Sequence, residues 1–356
     1  MCSFIPHELG EAAGVGGYRY LPSGGTESQQ RGSRWLKPEA CPFCKVGLGS
    51  FPPQDWPRPD ILAAASPCDQ MRRSWEHYAR DWGVEVLPLH IPRHGFKPHL
   101  IEFYAAELGR LGDALASRAG RIDWKSHLAD LREIRKPLYQ NLQAWDNLRG
   151  RDNTPLTGKE VLSIALTASQ LDTDLLQSFC TDVEKIIQNR LSKDKTDNPY
   201  QHQHQNLLRV LVLGSPWTEG DLPLFDLIES DNVKVVADWF CTGMRSLPVG
   251  GEDRDPLISL AQGLLRSNLC PAFQPNDHFY AGLKKLAQER RVDAVLFLTL
   301  KFCHIWGFET TRMRAELGLP LLHLDRDYSD SYEAQWRTRW EAFIERLFLQ
   351  RWGTLP

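Results

Sequence analysis

The chain of 356 residues lacks a long apolar run and an excess of basic residues. No apolar stretch approaches the roughly 20 residues that span a bilayer, so no membrane-crossing helix is expected. Lys and Arg number 42 against 45 Asp and Glu, a net charge of −3, whereas a nucleic-acid surface calls for a basic excess. The opening "MCSFIPHELG" has no basic segment followed by an apolar core. That speaks against a secretory signal and gives the expectation of a cytoplasmic protein. Short-period repeats and low-complexity tracts are also missing.

What is present fits a globular protein large enough for two domains, with 42% hydrophobic and 24% charged residues. Residues 1–40 carry a short helix and a Gly- and Ser-rich arm. Short apolar strands are expected at 60–67 and 84–92 around a helix at 69–82. Helical patterns follow at 98–118, 124–148, 156–169 and 171–192. The polar segment "SKDKTDNPYQHQHQN" (192–206) has the composition of a linker. Beyond it, strands at 207–214, 233–240, 293–300 and 319–325 alternate with helices at 221–229, 304–317 and 332–349. All-apolar strands alternating with amphipathic helices predict parallel sheets covered on both faces. The fold class expected is therefore α/β: two doubly wound parallel-sheet domains, at 41–200 with a long helical insertion and at 206–356, plus an additional helical segment.

There are eight cysteines. Without an export signal they are not expected to form disulfides. Cys180 sits at helical spacing from Leu176, Val183 and Ile187 and reads as a packing residue. The others stand elsewhere. Cys68, Cys241 and Cys303 each follow an apolar strand, where ligands collect in open parallel sheets. Cys270 ends a helical run, and Cys41 and Cys44 form the CxxC of "CPFCK". Any one of these could be structural. A CxxC by itself could be a redox dithiol or half a zinc site. Six scattered thiols, two of them in Cys-Pro pairs, favour an iron–sulfur cluster held between domains.

Several segments together resemble the 2-hydroxyacyl-CoA dehydratase family, which includes benzoyl-CoA reductase subunits and double-cubane iron–sulfur proteins. They are "CSFIPHELGEAAG" (2–14), "CPFCK" (41–45), "SPCD" (66–69), "DWFCTGMR" (238–245), "NLCP" (268–271), "VDAVLFLTLKFCHIWGFE" (292–309) and "GLPLLHLDRDYSDSYEAQWRTRWEAFIERL" (318–347). The last block is the most specific, through its polar Asp327, Gln335, Thr338 and Arg339. The resemblance implies a 4Fe–4S cluster on the metal ligands Cys41, Cys68 and Cys303. Alternatively it implies a double-cubane (8Fe–9S) cofactor completed by Cys44, Cys241 and Cys270. It also implies radical dehydration of a hydroxyacyl-CoA, or reduction of a ring or a small molecule. The implied partners are an ATP-dependent activator ATPase with its own 4Fe–4S cluster and a second identical or related subunit.

Other residues carry expectations of their own. His304, beside Cys303, is the nearest candidate proton donor, and Glu309 is a second candidate for the same cavity. Lys45, Lys301 and Arg245 could balance a charged cofactor. Trp239 and Trp306 flank cysteines and could exclude water. His202 and His204 alternate within the linker, a weak metal signal. The competing reading is a non-enzymatic thiol protein, binding zinc or carrying electrons.

Overall fold

The computed structural model describes residues 2–52, 57–66, 68–94, 97–192, 207–249, 251–329 and 333–353. His202, His204 and most of the linker lie outside the described residues.

The first half begins with three helices, α1 (His7–Ala12), α2 (Thr26–Gly32) and α3 (Pro42–Gly49). A parallel pair, β1 (Ile61–Ala65) and β2 (Glu85–Leu89), flanks α4 (Asp69–Trp82). Four helices follow: α5 (Pro98–Ala119), α6 (Trp124–Arg149), α7 (Gly158–Ala168) and α8 (Thr173–Ser192). Local chemistry sets their ends. Pro98 opens α5, and Gly120 closes it in the left-handed region at φ 68°. Thr157 and Glu160 form a reciprocal capping box on α7.

The second half holds β3 (Leu208–Gly214), α9 (Phe225–Ile228), β4 (Val233–Trp239), α10 (Pro256–Ser267), α11 (Asp277–Glu289) and β5 (Ala294–Leu300). It ends with α12 (His304–Gly307), α13 (Thr310–Leu317), β6 (Leu321–Arg326) and α14 (Glu333–Trp352). The strands form one parallel sheet in the order β4-β3-β5-β6. Every residue of β3 and β5 is buried, as expected of strands covered on both faces.

The protein is thus a largely helical α/β fold with two small parallel sheets. Among the described residues the first sheet has two strands, β1 and β2. That is fewer than the doubly wound arrangement expected for that half. Two helices expected whole are broken. Pro223 turns residues 219–224 into a 3-10 segment ahead of α9. The 304–317 helix divides at Phe308–Glu309 into α12 and α13. The helix α11 was not among the expected elements.

The cores cross the chain. Val210, Val212, Val235, Leu296 and Leu298 meet Trp336, Trp340 and Phe348 of α14 under the larger sheet. Leu260, Leu264 and Leu265 of α10 join Phe4, Leu9, Tyr104, Leu108 and Leu128 over the smaller one. A helix from late in the sequence therefore completes the core of the early half.

One buried ion pair fixes the end of β4. Arg149, the last residue of α6, places Nη2 2.7 Å from Asp238 Oδ2 and 2.5 Å from Asp146 Oδ1. The side chains of Arg149 and Asp238 are 2% and 1% exposed. Gly243 folds back so closely on Asp238 that a Cβ there would stand 2.2 Å from its Oδ1.

Removing one member of a buried pair leaves the other charge uncompensated, at a cost of about 3–5 kcal/mol. Asp238→Ala is expected to destabilise by that amount in urea unfolding, while Asp238→Leu combined with Arg149→Met recovers most of the loss. Equal stability of wild type and Asp238→Ala would show that the pair does not hold this end of the sheet.

Candidate functional site

The order β4-β3-β5 means that the chain leaves β3 on one side and returns to it on the other. The carboxyl ends of β3 and β5 therefore form a switch point, where such sheets open a crevice. Ser215, just past β3, accepts a hydrogen bond through Oγ from Leu300 N at 2.9 Å and locks the two strand ends together. The chain then turns at Phe302, whose φ of 58° is in the left-handed region that a bulky side chain rarely occupies. The turn delivers Cys303 to the crevice, with Cys303 N donating to Leu300 O at 3.0 Å.

Cys41 arrives from the other side as the N-terminal flanking residue of α3, with Pro42 at the first helical position. The CxxC is therefore a helix start, and Cys44 lies inside α3 facing the protein interior. Cys68 stands at the N-terminus of α4, where its sulfur accepts from Met71 N at 3.5 Å. Cys41, Cys44, Cys68 and Cys303 pack together with Phe43, Met71, Leu300 and Tyr328. Cys41 and Cys303 share a thiol–thiol hydrogen bond.

Gln70 ties this assembly together. Its Oε1 accepts from Cys41 N, and its Nε2 donates to Phe302 O at 3.0 Å. One amide thus spans the start of α3, the start of α4 and the turn after β5. Nothing in the sequence marks Gln70 except its position two residues after Cys68.

A second group of thiols adjoins the first. Cys241 and Cys270 are close enough to each other and to Cys303 for their charges to interact, and Cys2 joins them. Cys2 was missed in the sequence because it precedes a short helix and follows no strand. Two guanidinium groups lie beside Cys241: Arg245, and Arg19, whose Nη2 donates to Cys241 O at 3.2 Å. Cys180 stays apart, packed among Leu176, Val183 and Ile187.

Burial pushes several of these thiols upward. Burial raises Cys68 and Cys270 to about 11 and Cys2 to about 12. Cys303 lies well above the ordinary range, first through its bond to Cys41 and then through burial. For Cys41 the bond from Cys303 pulls downward, but Cys44 and burial outweigh it and the net direction is upward.

The other expected residues are distributed as follows. His304 is exposed at the start of α12, its ring 5.9 Å from that of Phe308. Glu309 is buried and committed: Oε1 accepts from Asn276 Nδ2 at 2.9 Å, and Oε2 accepts from the Tyr280 hydroxyl. Lys45 turns away to donate to Pro38 O at 2.6 Å, and Lys301 faces Asp327 at 3.5 Å. Arg245 is buried between the rings of Trp239 and Trp306, 5.6 and 6.0 Å from their centroids.

This geometry corrects the cofactor expectation. Among the described residues no group of three or more His, Cys, Asp or Glu side chains could hold a metal ion. Metal ligation by Cys41, Cys68 and Cys303, cluster binding extended to Cys44, Cys241 and Cys270, and the zinc alternative are therefore not upheld. The same holds for the 4Fe–4S or double-cubane assignment and for the low-potential reduction or radical dehydration built on it. The physical reason lies in the thiols themselves. Ligation requires thiolates converging on one point. Here Cys44 is enclosed within α3, the Cys68 sulfur is engaged by Met71 N at the start of α4, and Cys241 and Cys270 stand on separate loops.

Comparison with known proteins gives a consistent family. Residues 2–347 match the family described as 2-hydroxyglutaryl-CoA dehydratase, D-component. The chain is 25% identical to "Putative dehydratase subunit YjiM" of Escherichia coli (strain K12), over 97% of this chain and 90% of that protein. It is 24% identical to the "(R)-phenyllactyl-CoA dehydratase beta subunit" of Clostridium sporogenes, over 39% of this chain and 38% of that one.

One measurement checks the site and a second checks the burial of the separate thiol, Cys180. Gln70→Ala is expected to release the turn at Phe302 and to speed alkylation of Cys303 by iodoacetamide several-fold, read by peptide mass spectrometry. An unchanged rate would show that the amide does not hold the turn. Burial raises Cys180 to about 11 from an ordinary value of 9.0. An acid whose folded pKa is raised favours the fold below the unfolded value, and that stability is lost as pH climbs from about 9 to about 11. Denaturation across that window is expected to show a shallower loss in Cys180→Ala than in wild type.

Proposed function

The chain belongs to the family of the 2-hydroxyglutaryl-CoA dehydratase D-component, and from that premise we propose that it is a subunit of an enzyme that removes water from a 2-hydroxyacyl-CoA thioester. The observation that carries this reading is the extent of the family match, from residue 2 to residue 347. Both relatives are named as dehydratase subunits. A second, related subunit and an ATP-hydrolysing activator are its proposed partners.

In this reading the reaction takes place at the crevice where β3 and β5 end. Loss of the α-hydroxyl with a β-hydrogen converts the substrate to a 2-enoyl thioester and one water. The leaving hydroxyl takes a proton from His304 at the rim and departs as water, and the β-proton passes to the imidazole nitrogen so freed, which restores His304 for the next turnover. Glu309 acts at one remove: its bonds to Asn276 and Tyr280 join α11 to the break between α12 and α13. Trp239 and Trp306 line the inner wall and exclude water. Phe308, 81% exposed beside His304, provides apolar surface for the acyl chain or the partner subunit.

The test is direct. The chain, produced together with its related subunit and activator, is supplied with 2-hydroxyacyl-CoA thioesters, and 2-enoyl products are resolved by chromatography. Dehydration is expected, and His304→Ala is expected to lower kcat about a hundredfold. An His304→Ala enzyme with unchanged kcat would remove His304 from the role, and the failure of every 2-hydroxyacyl thioester to react would overturn the reading.

A further inference from the structure

The interior beside Cys241 holds positive charge and hydrogen-bond donors without matching acceptors. Arg245 is 8% exposed, and its Nη1 donates to Leu269 O. Its Nε and Nη2 are buried and have no hydrogen-bond partner, and the indole Nε1 of Trp239 is in the same state. Among the described residues no carboxylate stands within ion-pairing distance of Arg245. The carboxylate on the neighbouring α12–α13 break, Glu309, is already engaged by Asn276 and Tyr280.

Burial of a cation without an acceptor is costly, and each unmet donor adds to that cost. Three unmet donors, two of Arg245 and one of Trp239, thus belong to adjoining side chains. Nε and Nη2 also lie on the same edge of the guanidinium, the edge that presents two parallel N–H bonds. That fork matches the two oxygens of a carboxylate. The rings of Trp239 and Trp306 hold the plane of the guanidinium in place.

We propose that the Nε/Nη2 edge of Arg245, with the Trp239 indole N–H beside it, is a binding site for the carboxylate group of a small ligand. The ligand enters past Cys241 and Cys270. Both are partly exposed, and both lie on irregular backbone, a turn after β4 and the segment following α10. Their side chains can swing aside without breaking a helix or a strand. Arg19, anchored on Cys241 O, adds a second positive charge on the entry side.

The test uses glutarate and acetate as probes, with glutaramide and acetamide as neutral counterparts, titrated into the purified chain by calorimetry. Each acid is expected to bind at least tenfold more tightly than its amide. Arg245→Lys keeps the charge but loses the fork, and is expected to weaken glutarate at least tenfold. Should the buried substitution prevent folding, the acid-to-amide ratio on wild type still decides. Equal binding of acid and amide, no binding of either acid, or unchanged glutarate affinity in a folded Arg245→Lys chain would each overturn the site. The readout is binding of free acids to the purified chain and not dehydration, so this inference and the proposed function fail separately.

Discussion

The arrangement around the crevice depends on one buried charge pair. Asp238 lies at the end of β4 and Arg149 at the end of α6, and together they join a helix of the early half to a strand of the late half. The next residues of the chain are those that line the crevice: Trp239, Cys241 and Arg245. Gly243 is required because the loop folds directly onto the Asp238 carboxylate. Arg149 is also anchored by Asp146, which in turn pairs with Arg290 at the end of α11. Nearby, Arg209 of β3 pairs with Asp152, and the Lys234 ammonium of β4 donates to Arg151 O. The segment after α6 is thus fastened to the sheet by a polar network, in which apolar packing alone would allow sliding. Buried pairs of this kind set register more than they add stability.

Much of the architecture was legible because the signals are local. The strands β3, β4 and β5 are mainly apolar runs whose polar residues stand singly, and α5 and α6 carry clear apolar faces. Two features were illegible for definite reasons. The Phe308–Glu309 break divides a helix whose spacing is otherwise regular, because tertiary contacts, not propensity, decide where a short helix stops; the break before α9, by contrast, has a local cause in Pro223. The smaller sheet could not be counted from sequence, since the apolar strands that define a doubly wound domain and those of a lone pair look alike.

The site divides in the same way. Strand ends are predictable, so Cys68, Cys241 and Cys303 could be assigned to one side of the fold. What each thiol does there depends on neighbours that spacing does not reveal. Cys68 serves a helix N-terminus, Cys41 and Cys303 bond to each other, and Cys44 is enclosed within α3. The strand-end argument was silent about neighbours and charge state. Cys2, Gln70 and the unmet edge of Arg245 carry no motif, and become visible only when chain segments far apart in sequence are seen together.

The placement of α10 has a consequence for biosynthesis. Its leucines complete a core whose other members come from Phe4 through Leu128. While the ribosome is still translating the middle of the message, the first half therefore has an uncovered apolar face and a set of reduced sulfurs open to solvent. The nascent chain must stay shielded until residues 256–267 emerge, which makes this protein a natural client for chaperones and a poor candidate for expression in separate pieces.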